Sequence, residues 1–204
     1  GNNIDSNVPV AVDTSGVLSG KTITAVAAGI YRSIALASDG TVYTWGDNNS
    51  GQLGNGNDTA SNVPVAVDIS GVLSGKTIKA VASGEYHSIA LASDGTVYTW
   101  GGNYYGQLGN GNNEDSNVPV AVDISGVLSG KTIKAIAAGG YHTIALDSDG
   151  TVYSWGINYG QLGNGNNIDS NVPVAVDTSG VLSGKTITAV TAGYYHSIIL
   201  VSDG

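Results

Sequence analysis

Residues 137–165 read AAGGYHTIALDSDGTVYSWGINYGQLGNG, and the fold class can be predicted from this stretch. Two short segments rich in strand-forming residues, 142–146 and 151–155, flank the triplet Ser148-Asp149-Gly150, which is a tight-turn signature. A glycine- and asparagine-rich loop follows Trp155. Because no part of the stretch has the 3.6-residue period of an amphipathic helix, the sequence predicts short strands joined by a tight turn.

The same pattern recurs along the chain with a period of about 55 residues. Trp45, Trp100 and Trp155 are separated by 55 residues each, and one residue is missing from the loop after the last of them. A single repeat array is therefore predicted over residues 1–204. Its copies lie at approximately 1–54, 55–109, 110–163 and 164–204. The last copy is incomplete, since it lacks the TVYTWG segment that follows SDG in the others.

Each copy contains four strand-like segments. In the second copy they are residues 62–67 (NVPVAV), 76–82 (KTIKAVA), 87–92 (HSIALA) and 96–100 (TVYTW). Four short strands in a repeat of this length are typical of a β-propeller blade, whereas solenoids of parallel strands usually have a shorter period. The fold class predicted is therefore all-β, a propeller of four-stranded blades, with fifteen strands or about 3.75 blades in this chain.

The repeat resembles that of the regulator of chromosome condensation family. The matching features are the His-Ser/Thr-x-Ala-Leu strand, the Asp-Gly turn, the Val-Tyr-x-Trp-Gly strand and the Asn-x-x-Gly-Gln-Leu-Gly loop. The resemblance implies a propeller that commonly has seven blades, so the strands present here are too few for that ring. An open blade would expose unpaired backbone groups and an apolar sheet face. Three alternatives follow: the chain is a fragment of a larger array, several chains assemble to close the ring, or the ring is unusually small. A partner that covers the open blade is expected, either additional blades or a second copy of the chain in a homo-oligomer.

Composition limits the partners. The formal net charge is −9, with seven basic residues against sixteen acidic ones, and no lysine or arginine cluster is present. Nucleic acids and anionic lipid surfaces attract clustered positive charge, so neither is expected as a partner. A membrane span is not expected either, because no apolar run approaches about 18 residues.

No catalytic, cofactor-binding or metal-binding residue is predicted. His87, His142 and His196 occupy one repeat position, with Arg32 in the first copy, and we expect a hydrogen-bonding role at the start of a strand. The aspartates of the SDG triplets, including Asp203, are expected to be turn residues. The chain has no cysteine and no phosphate-binding glycine loop followed by Lys-Ser/Thr. An enzyme is therefore not expected, and an exchange-like, hydrolase or lyase activity is the least favoured hypothesis.

The copies differ at a few positions, and strand parity places most of them on one face. Loops alternate between the two ends of an antiparallel blade, so the loops after the second and fourth segments of each copy share one end. These loops hold most of the variation, and their distinctive side chains are Asp47, Glu85, Tyr104, Tyr105, Tyr159 and Tyr194. Tyrosine suits recognition surfaces because it provides contact area at low entropic cost. Neutral drift in exposed loops is the alternative interpretation.

These features favour a non-enzymatic protein-interaction propeller that binds an unidentified protein partner through the variable loops of one face. The alternative is a structural, self-assembling array or spacer, in which open blade faces make the contacts. The resemblance implies two precedents, a bacterial type that inhibits β-lactamases through loops on one face and a eukaryotic type that promotes nucleotide exchange on a small nuclear GTPase. The acidic composition disfavours chromatin binding. A bacterial, secreted or cell-surface protein is expected.

Overall fold

The computed structural model describes residue 1 and residues 4–202, and strands are the regular secondary structure over those positions. The first sheet comprises β1 (Ile23–Ala28), β2 (Arg32–Ala37), β3 (Val42–Gly46) and β4 (Ser61–Ala66). The second comprises β5 (Ile78–Ser83), β6 (His87–Ala92), β7 (Val97–Gly101) and β8 (Ser116–Ala121). The third comprises β9 (Ile133–Ala138), β10 (His142–Asp147), β11 (Val152–Gly156) and β12 (Ser170–Ala175). The fourth comprises β13 (Ile187–Ala192) and β14 (Ser197–Val201).

These sheets are the blades of a β-propeller. Within each sheet the strands are antiparallel and hydrogen-bonded in chain order. The first strands of consecutive sheets, β1, β5, β9 and β13, contact one another, so they form the inner edge of a radial array. The predicted all-β propeller of four-stranded blades is confirmed. Over the described residues, no helix is long and apolar enough to cross a membrane.

The number of strands corrects one expectation. The described residues form three complete blades and half of a fourth, fourteen strands rather than fifteen. Residues 7–12 (NVPVAV) form no strand, and Val8 and Val10 are 63% and 74% exposed. The equivalent segments β4, β8 and β12 are the outer strands of the preceding blade. The first NVPVAV segment therefore has no third strand in this chain with which to pair.

Large and small side chains alternate so that neighbouring blades interlock. Ile34 and Leu36 of blade 1 pack into one core with Ala90, Ala92 and Trp100 of blade 2. The equivalent residues form the core between blades 2 and 3. Alanine on the receiving face lets the sheets approach closely, and isoleucine and leucine on the other face fill the space between them. In the SIALA strand, the isoleucine and leucine therefore pack against the next blade, and the alanines pack against the preceding blade.

The repeat tryptophans join each blade to the loop of the blade before it. Trp100 is fully buried, and its indole N–H donates to the carbonyl oxygen of Gln52 at 3.0 Å. Trp155 makes the same bond to Gln107 at 3.0 Å. Gly54 has a φ of +68°, and a Cβ there would lie 2.5 Å from the Trp100 indole nitrogen. The Gly-Gln-Leu-Gly motif therefore provides both an acceptor and the space that the next tryptophan occupies.

The two terminal sheet faces are more exposed than their internal counterparts. Val26 on β1 is 74% exposed, whereas Val81, at the same position of blade 2, packs against the core between blades 1 and 2. Leu200 on β14 is 53% exposed, whereas Leu146 is fully buried. Both faces carry the apolar residues that elsewhere contact a neighbouring blade. That further blades or a second copy cover them stays a prediction.

The SDG aspartates Asp39 and Asp94 bond to the backbone of their own turns, whereas in the third triplet the Thr151 N–H is accepted by Asp147 instead of Asp149. The carboxylates of Asp39 and Asp94 accept the backbone N–H groups of Thr41 and Thr96 at 3.0 and 2.9 Å. Each also receives the ammonium group of a lysine from the loop that precedes the inner strand. Asp203 lies outside the described residues.

Truncating Trp100 to alanine tests the contact between blades. We expect Trp100→Ala to lower the free energy of unfolding by about 3–5 kcal/mol, because a buried ring is replaced by a cavity. Trp45→Ala is the matched control, since Trp45 is only half-buried. Its loss should be clearly smaller. Urea unfolding followed by circular dichroism measures both, and equal losses would contradict the role assigned to the buried indole.

Candidate interaction surface

Two sets of loops meet at one end of the blades. The first set joins the first and second strands of each blade, at residues 29–31, 84–86, 139–141 and 193–196. The second set joins the third and fourth strands, at residues 47–60, 102–115 and 157–169. Together these loops carry a group of tyrosines that we call the tyrosine face. Its members are Tyr86, Tyr104, Tyr105, Tyr141, Tyr194 and Tyr195.

Tyr141 lies at the centre of the tyrosine face. Its ring centroid is 5.8 Å from that of Tyr86, 5.3 Å from Tyr105 and 5.7 Å from Tyr194. The contacts with Tyr105 and Tyr194 are edge-to-face, the arrangement that the ring quadrupoles favour. Burial is the main cause that raises the pKa of Tyr141 to about 12. The phenol therefore stays protonated and can donate a hydrogen bond at neutral pH.

Two further contacts extend this group outward. Tyr104 meets Tyr105 at 4.9 Å and Tyr195 meets Tyr194 at 4.4 Å, both edge-to-face. Tyr104 is 78% exposed. The loops of three blades thus contribute to one continuous aromatic surface, of which the outer rings are open to solvent.

The residues at the variable position before the repeat tyrosine contact one another across neighbouring blades. The Glu85 N–H donates to the Gly140 carbonyl at 3.1 Å, and the Gly140 N–H donates to the Tyr194 carbonyl at 3.0 Å. The Tyr194 hydroxyl donates to the Glu85 carboxylate, and burial together with that bond raises the pKa of Tyr194. A Cβ on Gly140 would lie 3.2 Å from the Tyr194 ring. Because Gly140 of blade 3 has no side chain, Tyr194 of blade 4 can reach across it to Glu85 of blade 2.

Of the six candidate residues, four meet on this face and two do not join the stacked rings. Glu85, Tyr104, Tyr105 and Tyr194 belong to the contacts just described. The Asp47 carboxylate accepts side-chain amide groups of Asn49 and Gln52, both at 2.7 Å, so it braces its own loop. Tyr159 is 76% exposed and makes no ring contact with another described aromatic residue.

A buried asparagine holds each long loop in place, and this role was not predicted from the differences between the repeat copies. In the second blade, the Asn103 Oδ1 accepts the Leu108 N–H at 2.9 Å. Its Nδ2 donates to the carbonyl oxygens of Asn112 and Glu114 at 3.0 and 3.1 Å. The Asp115 carboxylate accepts the Asn103 N–H at 2.7 Å. Because both ends of the loop are tied to this residue, the neighbouring Tyr104 is presented from an ordered frame.

The repeat histidines bond across the blade boundary beneath this face. The His87 Nε2 lies 3.0 Å from the Thr143 hydroxyl, which donates to the Gln107 carbonyl at 3.0 Å. The hydroxyl hydrogen is thus engaged, so His87 Nε2 is the donor. His142 contacts Ser197 at 3.0 Å in the same way. The expected hydrogen-bonding role at the strand start is confirmed for both histidines, and its partner belongs to the next blade.

Arg32 takes the histidine position in the first blade. Its guanidinium donates to the Ser88 hydroxyl at 3.1 Å and to the Glu85 carbonyl at 2.6 Å, both in blade 2. Burial is the main cause that lowers the pKa of this group. Over the described residues, no three histidine, aspartate or glutamate side chains gather to form a metal-binding group.

Comparison with known proteins agrees with this repeat geometry. A family model described as the RCC1-like domain matches residues 1–204, the whole chain. The chain belongs to the RCC1-like domain family. The predicted membership of the regulator of chromosome condensation family is confirmed.

The relatives of this RCC1-like chain are longer than the region that it matches. It is 37% identical over 189 residues to the ultraviolet-B receptor UVR8 of Arabidopsis thaliana, covering 92% of this chain and 41% of that protein. It is 36% identical over 183 residues to the human E3 ubiquitin-protein ligase HERC2, covering 88% of this chain and 4% of that protein. This RCC1-like chain thus spans less than half the length of these relatives.

Solved structures share the fold of this RCC1-like chain. Human WBSCR16 superimposes with a TM-score of 0.79 and 27% identity, over 90% of this chain and 46% of that chain. Prp20p of Saccharomyces cerevisiae superimposes with a TM-score of 0.76 and 24% identity, over 88% and 43%. At that identity the second likeness supports the fold alone.

A double-mutant cycle tests the link across the RCC1-like blades. We expect Tyr194→Phe to lower the free energy of unfolding by about 1–3 kcal/mol, because the Glu85 carboxylate, 8% exposed, loses a donor. Combination with Glu85→Gln should give a coupling energy of about 0.5–3 kcal/mol. Tyr195→Phe, on the adjacent ring that is 57% exposed, is the control and should be nearly neutral. A coupling energy of zero would show that the contact does not form in solution.

The buried histidines predict a pH dependence. Burial, with a smaller contribution from the charge of His196, lowers the pKa of His142 from 6.5 to about 4. Since the unfolded chain binds the proton more readily, stability is full above pH 6.5 and falls as the pH drops towards about 4. Urea unfolding measured at several pH values across this window should show that the free energy of unfolding depends less steeply on pH in His142→Gln than in the parent chain. His196→Gln is the comparison variant: His196 is exposed and makes the smaller contribution to the shift, so a smaller change is expected. An equal change in both variants would refute the assignment.

Proposed function

We propose that this RCC1-like chain is a non-enzymatic protein-interaction propeller that binds a protein partner through the tyrosine face. The observation that carries the proposal is the continuous aromatic surface centred on Tyr141 and held on ordered loops. Tyrosine rings bury a large area on binding and keep a polar tip for hydrogen bonding. Their side chains also lose little rotational freedom, which makes them frequent anchors of protein interfaces.

The loops are held in a fixed conformation, and this supports a role in partner recognition over neutral sequence drift. Glu85, Gly140 and Tyr194 differ because each accommodates the others across three blades, so their differences are structurally linked rather than independent. The Asn103 bonds hold the loop that bears Tyr104 and Tyr105 in place. A surface that is already ordered loses less entropy when a partner binds.

Relatives provide a precedent that is carried over as part of this proposal. Prp20p of Saccharomyces cerevisiae has binding properties towards Gsp1p and histones, and a second structure shows Kap60 bound to yeast RCC1. Those partners belong to the yeast protein. For the present chain we take from them that an RCC1-like propeller is a suitable frame for protein contacts. An extracellular or cell-surface location and a bacterial origin stay predictions.

Paired variants on the two faces test the proposal. Partners are first identified by cross-linking and mass spectrometry, and the dissociation constant of one purified partner is then measured. We expect Tyr104→Ala combined with Tyr105→Ala to weaken binding by at least about tenfold, or about 1.4 kcal/mol, while circular dichroism stays unchanged. Ile69→Ala combined with Ile124→Ala removes two exposed apolar side chains, 57% and 59% exposed, from the opposite end of the blades. Unchanged affinity in the tyrosine variant would reject this face as the contact surface.

A further inference from the structure

A cleft lies within the tyrosine face, between loops of adjacent blades. It has a volume of about 260 Å³, and its walls include the rings of Tyr86, Tyr104, Tyr105 and Tyr141. We call this cleft the tyrosine pocket. The Tyr104 and Tyr105 rings are inclined by 85°, and the Tyr105 and Tyr141 rings by 76°. Because the ring planes are steeply inclined, the rings enclose a space instead of forming one flat stack.

Asp115 adds a carboxylate to the rim of the tyrosine pocket. It lines the cleft and is exposed. Its Oδ1 accepts the Asn103 N–H at 2.7 Å, which fixes the position of the group. Aromatic rings attract cations at their faces, and a neighbouring carboxylate adds charge and acceptors for N–H donors. The pocket therefore combines the two features that favour a cationic side chain.

The distribution of charge over the blades points the same way. The loops of the tyrosine face contain acidic residues and neither lysine nor arginine; the acidic residues are Asp47, Asp58, Glu85, Glu114, Asp115 and Asp169. All six lysines lie in or just before the inner strands, towards the opposite end. Three of them pair there with turn aspartates. The single arginine, Arg32, is buried.

This asymmetry matters because the lysine–aspartate ion pairs of the described residues form at the far end. On the tyrosine face the nearby cation is the buried Arg32, which interacts with Asp47. The loops around the aromatic cleft therefore carry an excess of negative charge. Such a field attracts a positively charged segment and repels phosphate groups.

We propose that the tyrosine pocket binds an arginine side chain carried by a basic segment of the partner protein. The inference rests on the proposed function, and it names the chemistry of the partner. A guanidinium group is planar and weakly hydrated, so it stacks on tyrosine while its N–H groups reach a carboxylate. Tyr105 and Tyr141 supply ring surface, and Asp115 supplies the acceptor.

A peptide pair isolates the charge of the ligand. The probes are acetyl-Gly-Ser-Arg-Ser-Gly-amide and the same peptide with citrulline, which replaces the guanidinium with a neutral group of nearly equal shape. Each is titrated into the ¹⁵N-labelled 204-residue chain and followed by NMR. We expect the arginine peptide to bind at least about fivefold more tightly than the citrulline peptide, with shifts at the amides of Tyr104 and Tyr105. Added salt should weaken the binding.

Matched variants isolate the contribution of the pocket. Asp115→Asn keeps an acceptor for the Asn103 N–H but removes the charge, and Asp123→Asn makes the same change at the opposite end. Tyr105→Ala opens the pocket, whereas Tyr159→Ala removes an exposed tyrosine that does not line it. We expect the two pocket variants to bind the arginine peptide at least about fivefold more weakly. The two control variants should bind like the parent chain.

Several results would overturn the inference. They are equal binding of the two peptides, no shift at the highest peptide concentration, shifts confined to other surfaces, and equal weakening by Asp115→Asn and Asp123→Asn. The last would mean that only the overall charge attracts the peptide. These failures are distinguishable from failure of the proposed function. If partner binding still depends on Tyr104 and Tyr105, the face remains the contact surface and only the arginine assignment is wrong.

Discussion

The carbonyl oxygen of Gln52 accepts the Trp100 indole N–H at 3.0 Å and the Ser88 hydroxyl at 2.9 Å. Both donors belong to the next blade, so one backbone group uses its two lone pairs to join neighbouring sheets. Gln107 repeats this arrangement with Trp155 and Thr143. The same residue also holds the candidate surface, because its side-chain oxygen accepts the Tyr105 N–H at 3.0 Å. Contact between blades and order of the loop therefore depend on one residue.

Much of the fold could be predicted, because its determinants are local and repeated. The SDG turn, the alternating SIALA strand and the recurring tryptophan are all visible in one copy and are confirmed by repetition. The strand predicted at residues 7–12 failed for a non-local reason. An NVPVAV segment becomes a strand only by pairing with the third strand of the preceding blade, and a sequence pattern does not reveal whether that partner is present.

The candidate surface was predicted only in part. Strand parity placed the variable loops at one end, and this brought Tyr104, Tyr105 and Tyr194 to the same face. Tyr86, Tyr141 and Tyr195 were not predicted, because this position is tyrosine in every copy and the prediction rested on differences between copies. The signal was nonetheless available, since each of the three directly precedes a repeat histidine. The complementarity of Glu85 with its partners spans three blades, and no spacing within one copy could indicate it.

Blades and sequence copies are out of phase by one strand. The copy boundaries near residues 54, 109 and 163 fall in the loop between the third and fourth strands of a blade. The second, third and fourth copies therefore each supply the outer strand of one blade and the first strands of the next. Adjacent blades are therefore connected covalently by the polypeptide chain as well as by side-chain packing. Gain or loss of one whole copy therefore changes the number of blades, while every internal blade keeps its four strands.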